Sequence, residues 1–193
     1  MQVSDIINKY YELSHLKDYF SKGIILWFVK NKRILPWRTK ISQDNFSYLV
    51  LVSEFMLQQT QVKTVIPYFQ RFIAKWSSVQ SLAKAKDKEV LMFWQGLGYY
   101  SRGRNLLKSA KVIVSDFGGK IPVKEEELKK LPGVGDYTAA AIRSIAFNKK
   151  AVAIDGNVKR VIARFFGLEG TLESNLNVIE KIAGLICPNS NNR

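Results

Sequence analysis

Leu131-Pro132-Gly133-Val134-Gly135-Asp136-Tyr137-Thr138 is the stretch whose reading decides the fold. Upstream, Lys124 to Lys130 has helix-forming composition, and downstream Tyr137 to Ala146 reads as an Ala/Ile-rich helix. Pro132 and the glycines therefore mark a tight turn between helices. Gly133 and Gly135 are expected to turn the backbone with positive φ and to let it come close to a ligand. Amides left free at such a turn, beside the positive end of the following helix, form a concave donor site for a phosphate oxygen. The pattern points to a helix-hairpin-helix gripping a nucleic-acid backbone, with an ordinary αα-corner as the alternative.

Composition weighs on that choice. The chain of 193 residues carries 30 Lys+Arg against 16 Asp+Glu, a formal net charge of +14, and this excess calls for a polyanionic partner. Its 47% hydrophobic content supplies a globular core, so the charge is not that of a disordered basic tail. The most apolar run, Leu49 to Leu57, is interrupted by Ser53 and Glu54 and falls short of the roughly 18 residues that would suggest a bilayer span. Met1-Gln2-Val3-Ser4-Asp5 has no basic segment leading into an apolar one, so secretion is not indicated. The single cysteine, Cys187, excludes an internal disulfide framework and fits a reducing compartment.

The remainder reads as helices. Met1 to Lys30 has helical spacing (Ile6, Ile7, Tyr10, Leu13, Tyr19, Ile24, Trp27, Phe28) and predicts one or two amphipathic helices. A connector follows at Arg33 to Arg38, where Pro36 disfavours helix at Leu35. Phe46 to Leu57 is a strongly apolar helix, and Thr60 to Trp76 a second, broken or kinked at Pro67. Asp87 is expected to cap Lys88 to Gln95, with Gly96 as the stop. Further helices are expected at Ser101 to Phe117, from Asp155-Gly156-Asn157 to about Phe166, and at Glu173 to Leu185. No segment alternates as a sheet would, so the fold class is all-α.

Two carboxylates stand out. Glu54 shares a helical stripe with Val50, Leu51 and Leu57 that should otherwise be core. Burial raises a glutamate pKa, and a carboxyl held protonated near neutrality is what a general acid needs. The alternative is a carboxylate that reaches water or a lysine at the helix edge. Asp155, before Gly156-Asn157-Val158-Lys159-Arg160, is a good N-cap and could also present negative charge to a cavity. One carboxyl kept protonated and one kept ionised is the arrangement that cleaves glycosidic bonds through an oxocarbenium-like transition state. Gln58-Gln59-Thr60-Gln61, one helical turn past Glu54, and Tyr99-Tyr100, after a Gly-x-Gly, suit wedging into a duplex and stacking on bases, although tyrosines more often pack in the core. With one cysteine and His15 as the one histidine, neither a zinc site nor a Cys-His nucleophile pair can be assembled.

Ser53-Glu54-Phe55-Met56-Leu57-Gln58-Gln59-Thr60-Gln61-Val62, Gly96-Leu97-Gly98-Tyr99-Tyr100-Ser101-Arg102, the Leu131 hairpin and Asp155-Gly156-Asn157-Val158-Lys159-Arg160 together resemble the A/G-specific adenine DNA glycosylases, the MutY-type members of the helix-hairpin-helix glycosylase superfamily. The resemblance runs in order from about Arg33 to Gly167. It implies two helical lobes with the active site between them: residues 1–39 joining the second lobe, 40–150 forming the barrel lobe with the hairpin, and 151–193 starting the second lobe. It further implies that Glu54 protonates the adenine leaving group and that Asp155 stabilises the sugar cation or bonds to it. Gln59 and Tyr99 match the residues that wedge near the opposing 8-oxoguanine, and Arg33, Trp37, Arg38, Leu57 and Val62 match the adenine pocket. Gly133, Gly135 and Lys159 match backbone contacts, with Lys159 also a source of incidental imine chemistry.

Tyr137 stands where bifunctional relatives carry a Schiff-base lysine; a phenol cannot form that imine, so a monofunctional enzyme is expected. The implied partner is double-stranded DNA with an A:8-oxoguanine or A:G mispair, bound by a monomer and with no membrane. The implied location is the bacterial cytoplasm and nucleoid, or the nucleus or mitochondrion of a eukaryote. The family's [4Fe-4S] cluster, held by four closely spaced cysteines, has no counterpart here, and neither has the C-terminal Nudix-like domain, so no cofactor and a C-terminal truncation are expected. The rival readings are a thymine or uracil mismatch glycosylase of the same superfamily and a catalytically impaired DNA-binding remnant.

Overall fold

A computed structural model describes residues 14–38 and 42–187, and among them only helices and turns occur. The helices are α1 (Ser14–Asn31), α2 (Gln43–Leu57), α3 (Val62–Lys75), α4 (Val79–Ala83), α5 (Asp87–Trp94), α6 (Ser101–Asp116), α7 (Glu125–Leu128), α8 (Asp136–Phe147), α9 (Gly156–Phe165) and α10 (Leu176–Ile186), with a 3-10 turn at Pro36–Arg38. The helices expected before Ser14 lie outside the described residues.

The chain forms two compact units, the larger spanning Ile34–Lys149 and the smaller combining Met1–Arg33 with Lys150–Asn192. The larger unit is built around α2. Val50, Leu51, Val52, Phe55 and Met56 on this helix are all buried, and α3, α6, α8 and the 3-10 turn pack against it. A helix apolar on nearly every face must be enclosed, which makes α2 the axis of the unit. Ser42 starts it, its Oγ accepting from the Asn45 amide at 3.1 Å. The connector at Ile34–Arg38 belongs to this unit and not with α1, because Leu35 and Trp37 are buried in its core and Trp37 meets Phe69 edge-on at 5.2 Å.

Three local expectations are corrected. Pro67 lies inside an unbroken α3, where its ring is exposed and the carbonyl it leaves without a donor is in the helix's first turn. Asp87 is the first residue of α5 and not its cap; Glu89 performs the capping, its Oε2 accepting from the Lys86 amide at 2.9 Å. The short α4 was not foreseen, although Ser78 and Ser81 bond to each other's amides there as a capping box. By contrast, α6 ends where expected, with Gly118 at φ 60 and Gly119 at φ 77.

The smaller unit has its own core of Ile162, Ile179, Ile182 and Ala183, against which Val152, Ile154, Val158 and Phe166 pack. Helix α1 packs on α10, with Ser21 donating to the Ile186 carbonyl, and Phe20 meets Phe165 at 5.1 Å.

Candidate active site

Glu54 lies in the last turn of α2 and is only 9% exposed. Burial raises its pKa to about 7, while the positive charge of Arg38 pulls it down. The open question of a solvated or buried carboxyl is thereby answered: the helix turns Glu54 into the unit, where its neutral form is favoured at pH 7 as much as its charged form. Leu57 and Val62 are half-buried beside the core, and Trp37 is buried in it. Glu54, Trp37, Arg38, Leu57 and Val62 thus share the larger unit, whereas Arg33 falls in the smaller one with Asp155 and Lys159.

Asp155 is the N-cap of α9. Its Oδ1 accepts from the amides of Asn157 at 2.9 Å and Val158 at 2.8 Å, and its Oδ2 accepts from Asn157 Nδ2 at 3.0 Å. Both carboxyl oxygens of Asp155 are thus engaged in capping the helix. Lys159 follows one turn later, half-buried, its amide donating to the Asp155 carbonyl at 3.0 Å.

The hairpin has the expected form with one correction. Gly133 has φ 83, and a Cβ there would lie 2.9 Å from both Asn105 Cβ and Phe55 Cε1, so glycine is demanded twice over. Gly135 does not have positive φ: it is extended (φ −94, ψ −174), caps α8, and has nothing within 4 Å of where a Cβ would stand. Open space on the outer side of the turn, not strain, is what a glycine gives at that point. Among the described residues neither the Gly133 nor the Gly135 amide donates to a backbone carbonyl, while Val134 donates back to Leu131 at 3.1 Å. The hairpin is fixed from below: Ser109 Oγ donates to the Pro132 carbonyl at 2.8 Å and Gln58 Nε2 to the Gly133 carbonyl at 3.3 Å. Lys129 pairs with Glu125 and Asp136, and Glu125 also pairs with Arg143 at 2.7 Å, joining α7 to α8 across the turn. Tyr137, in the first turn of α8, is 45% exposed.

Gln59 and Tyr99 are both exposed and both left-handed, at φ 58 and φ 46. Positive φ in a residue with a side chain is uncommon and needs support from its surroundings. Sequence reasoning gave no separate role to the group that supplies it. Arg102, 6% exposed, donates to the carbonyls of Met56 at 2.9 Å, Phe55 at 3.3 Å and Gln58, and to Thr60 Oγ1 at 3.1 Å, Leu97 O at 3.1 Å and Gly98 O at 3.2 Å. Its one visible signal was an arginine just inside a helix preceded by Gly-x-Gly.

The residues present do not fit a [4Fe-4S] cluster. Cys187 is the one cysteine, its thiol is pushed up by burial away from the thiolate that iron requires, and one sulfur cannot replace four. Among the described residues no group of His, Cys, Asp and Glu is placed to hold a metal ion, and no helix is long and apolar enough to cross a membrane.

Residues 52–187 match the family model described as HhH-GPD superfamily base excision DNA repair protein. The chain is 46% identical over 165 residues to a rat protein named adenine DNA glycosylase, and 45% identical over 171 residues to the human one. These matches take in 82% and 86% of this chain but 32% and 31% of the relatives, so it spans about a third of their length. An adenine DNA glycosylase of Buchnera aphidicola is 42% identical over 78% of this chain and 43% of its own. Among solved structures, a thermostable thymine-DNA glycosylase superposes with a TM-score of 0.77 at 29% identity, covering 90% of this chain and 79% of that one. An endonuclease III in complex with DNA gives 0.68 at 22% identity, over 88% and 82%, and speaks for the fold alone.

Proposed function

The chain belongs to the HhH-GPD superfamily of base excision DNA repair proteins, and from that premise we propose that it excises adenine mispaired with 8-oxoguanine or guanine from double-stranded DNA. The observation that carries this reading is Glu54, a buried carboxyl with a pKa of about 7 at the position to which the family resemblance gives the general acid. Extruding a mispaired base costs least at a mispair, which biases the enzyme towards its substrate. Glu54 gives its proton to the departing adenine as the N-glycosidic bond breaks and the bonding electrons leave with the base. Asp155, fixed at the N-cap of α9 by its capping bonds, stabilises the sugar cation. Water adds to the anomeric carbon and releases a proton, giving an abasic site and free adenine. Tyr137 supplies no amine, so no imine forms at that position and base release is not coupled to strand cleavage there.

Arg38, Leu57, Val62, Trp37 and Arg33 serve the adenine pocket in this reading, and Gln59 and Tyr99 enter the duplex near the opposing base. The hairpin amides at Gly133 and Gly135, with Lys159 and the +14 charge, hold the phosphates. The protein acts as a monomer, in the cytoplasm and nucleoid of a bacterium or in the nucleus or mitochondrion of a eukaryote, and the residues of this chain supply no cluster ligands.

The likeness to a thymine-DNA glycosylase supports a second reading, removal of thymine opposite guanine. Duplexes with A opposite 8-oxoguanine, A opposite G, and T opposite G, each treated with alkali after incubation, separate the two. Alkali-labile sites only at adenine are the expected result. Sites at thymine move the activity to the second reading, and binding without base release leaves a DNA-binding core without the chemistry.

A further inference from the structure

Two side chains, Gln58 and Arg102, tie together three turns of the larger unit. Gln58 Nε2 reaches the Gly133 carbonyl at 3.3 Å and Thr138 Oγ1 at 3.4 Å, binding the turn after α2 to both sides of the hairpin. The Gln58 carbonyl accepts in turn from Arg102, whose other nitrogen holds Leu97 and Gly98 at 3.1 and 3.2 Å. The exposed left-handed residues, Gln59 and Tyr99, are the immediate neighbours of these anchor points. Arg102 also lies under the Tyr99 ring, 5.5 Å from its centroid, and 5.7 Å from that of the buried Trp94. A buried guanidinium with carbonyl partners on two turns ties them together through charge-assisted bonds, with Trp94 Nε1 also donating to the Gly98 carbonyl at 3.2 Å and Thr60 Oγ1 to that of Gln58 at 3.4 Å.

We propose that Gln58 and Arg102 are positioning residues that make the phosphate-gripping hairpin, the Gln59 turn and the Tyr99 turn one mechanical body, so that seating of the hairpin on the backbone sets the depth at which Gln59 and Tyr99 enter the duplex. The functional half of this inference rests on the wedge reading given above; the mechanical half rests on the hydrogen bonds alone. Neither residue is among those assigned to the adenine pocket above. Gln58 is half-buried and its bonds are between neutral groups, so it can be changed without unfolding the unit, whereas Arg102 is enclosed.

The test compares the whole chain with Gln58→Met, which keeps the volume of the side chain and removes its donors. Amide hydrogen exchange is followed across residues 58–60, 97–100 and 131–137 in the free protein. Losing two neutral hydrogen bonds speeds opening by roughly tenfold, and the expected result is that exchange rises in all three segments together. Thermal unfolding is recorded in parallel, and Arg102→Lys, which keeps the charge but not the fork, is expected to loosen the 58–60 and 97–100 turns together if it folds. The second readout is fluorescence of 2-aminopurine placed opposite 8-oxoguanine, which reports extrusion. Gln58→Met should bind a matched duplex to within about twofold of the parent, since the hairpin amides remain, and lose about tenfold in extrusion. A rise in exchange confined to residues 58–60, or undiminished extrusion in a folded Gln58→Met, overturns the proposal. Should the three segments respond together while the parent chain extrudes nothing, the mechanical tie stands and the glycosylase reading falls.

Discussion

Replacing Glu54 with glutamine separates what the carboxyl does for the reaction from what it costs the fold. In the folded chain Glu54 titrates at about 7 against an ordinary value of 4.5, the difference coming from burial. A raised carboxyl pKa means that the native state holds the proton more tightly than the unfolded chain. Its stability is therefore fully present below pH 4.5 and is lost as pH rises to about 7. With about 1.4 kcal/mol for each unit, the charge on Glu54 costs roughly 1 kcal/mol at pH 5 and roughly 3 kcal/mol at pH 8. Glutamine has the shape of the protonated acid and cannot ionise, so Glu54→Gln should be more stable than the parent by amounts approaching these. Urea unfolding of both proteins at pH 5 and pH 8 measures the difference, and the other titrating groups cancel in the comparison. The same variant should lose base release altogether, because general acid catalysis typically contributes about 10²–10⁴-fold and glutamine has no proton to give. A stability difference that is the same at both pH values would falsify the buried, raised carboxyl, and with it the reason for assigning Glu54 as the acid.

Single-turnover base release by the parent should fall about tenfold per unit as pH rises well above 7, since only the protonated acid reacts; a rate independent of pH from 6 to 9 counts against it. Arg38→Gln removes the charge that lowers the Glu54 pKa, so the falling limb should move to higher pH, and a shift the other way contradicts the placement of Arg38. Asp155→Asn keeps an oxygen that can cap α9, so its thermal midpoint should stay close to the parent's while turnover collapses; Asp155→Ala should add a loss of about 1 kcal/mol. Gly133→Ala meets both positive φ and 2.9 Å contacts and should cost more than about 1 kcal/mol in unfolding, whereas Gly135→Ala should leave stability nearly intact and weaken DNA binding by projecting a methyl where the phosphate would sit. Equal destabilisation by the two alanines would refute the distinction drawn between these glycines.

Much of this molecule is written locally. The Leu131–Thr138 hairpin, the Gly118-Gly119 stop of α6, the apolar run of α2 and the Asp155 cap are legible because each depends on residues within a turn or two: glycine where φ is positive, a carboxylate where amides are free, apolar side chains at helical spacing. The all-helical class and the family resemblance rest on the same signals.

Other features depend on groups far apart in the chain. That a side chain is excluded at Gly133 and has room at Gly135 follows from Phe55 and Asn105 crowding one side of the turn. Trp37 belongs to the core because Phe69 waits for it, although a connector around Pro36 reads as surface. Glu54 is buried with a raised pKa, and not solvated, because α3, α6, α8 and the Pro36–Arg38 turn close around α2, while the nearby Arg38 charge limits the rise. Beyond its place just inside a helix after Gly-x-Gly, Arg102 shows little of its role in sequence, because the carbonyls it holds at Phe55, Met56 and Gln58 lie more than forty residues away. Helix caps and turns are short-range equilibria that a sequence states directly. The separation of two loops and the pKa of a buried acid are set by which distant atoms exclude water and supply charge, and only the packed fold decides those.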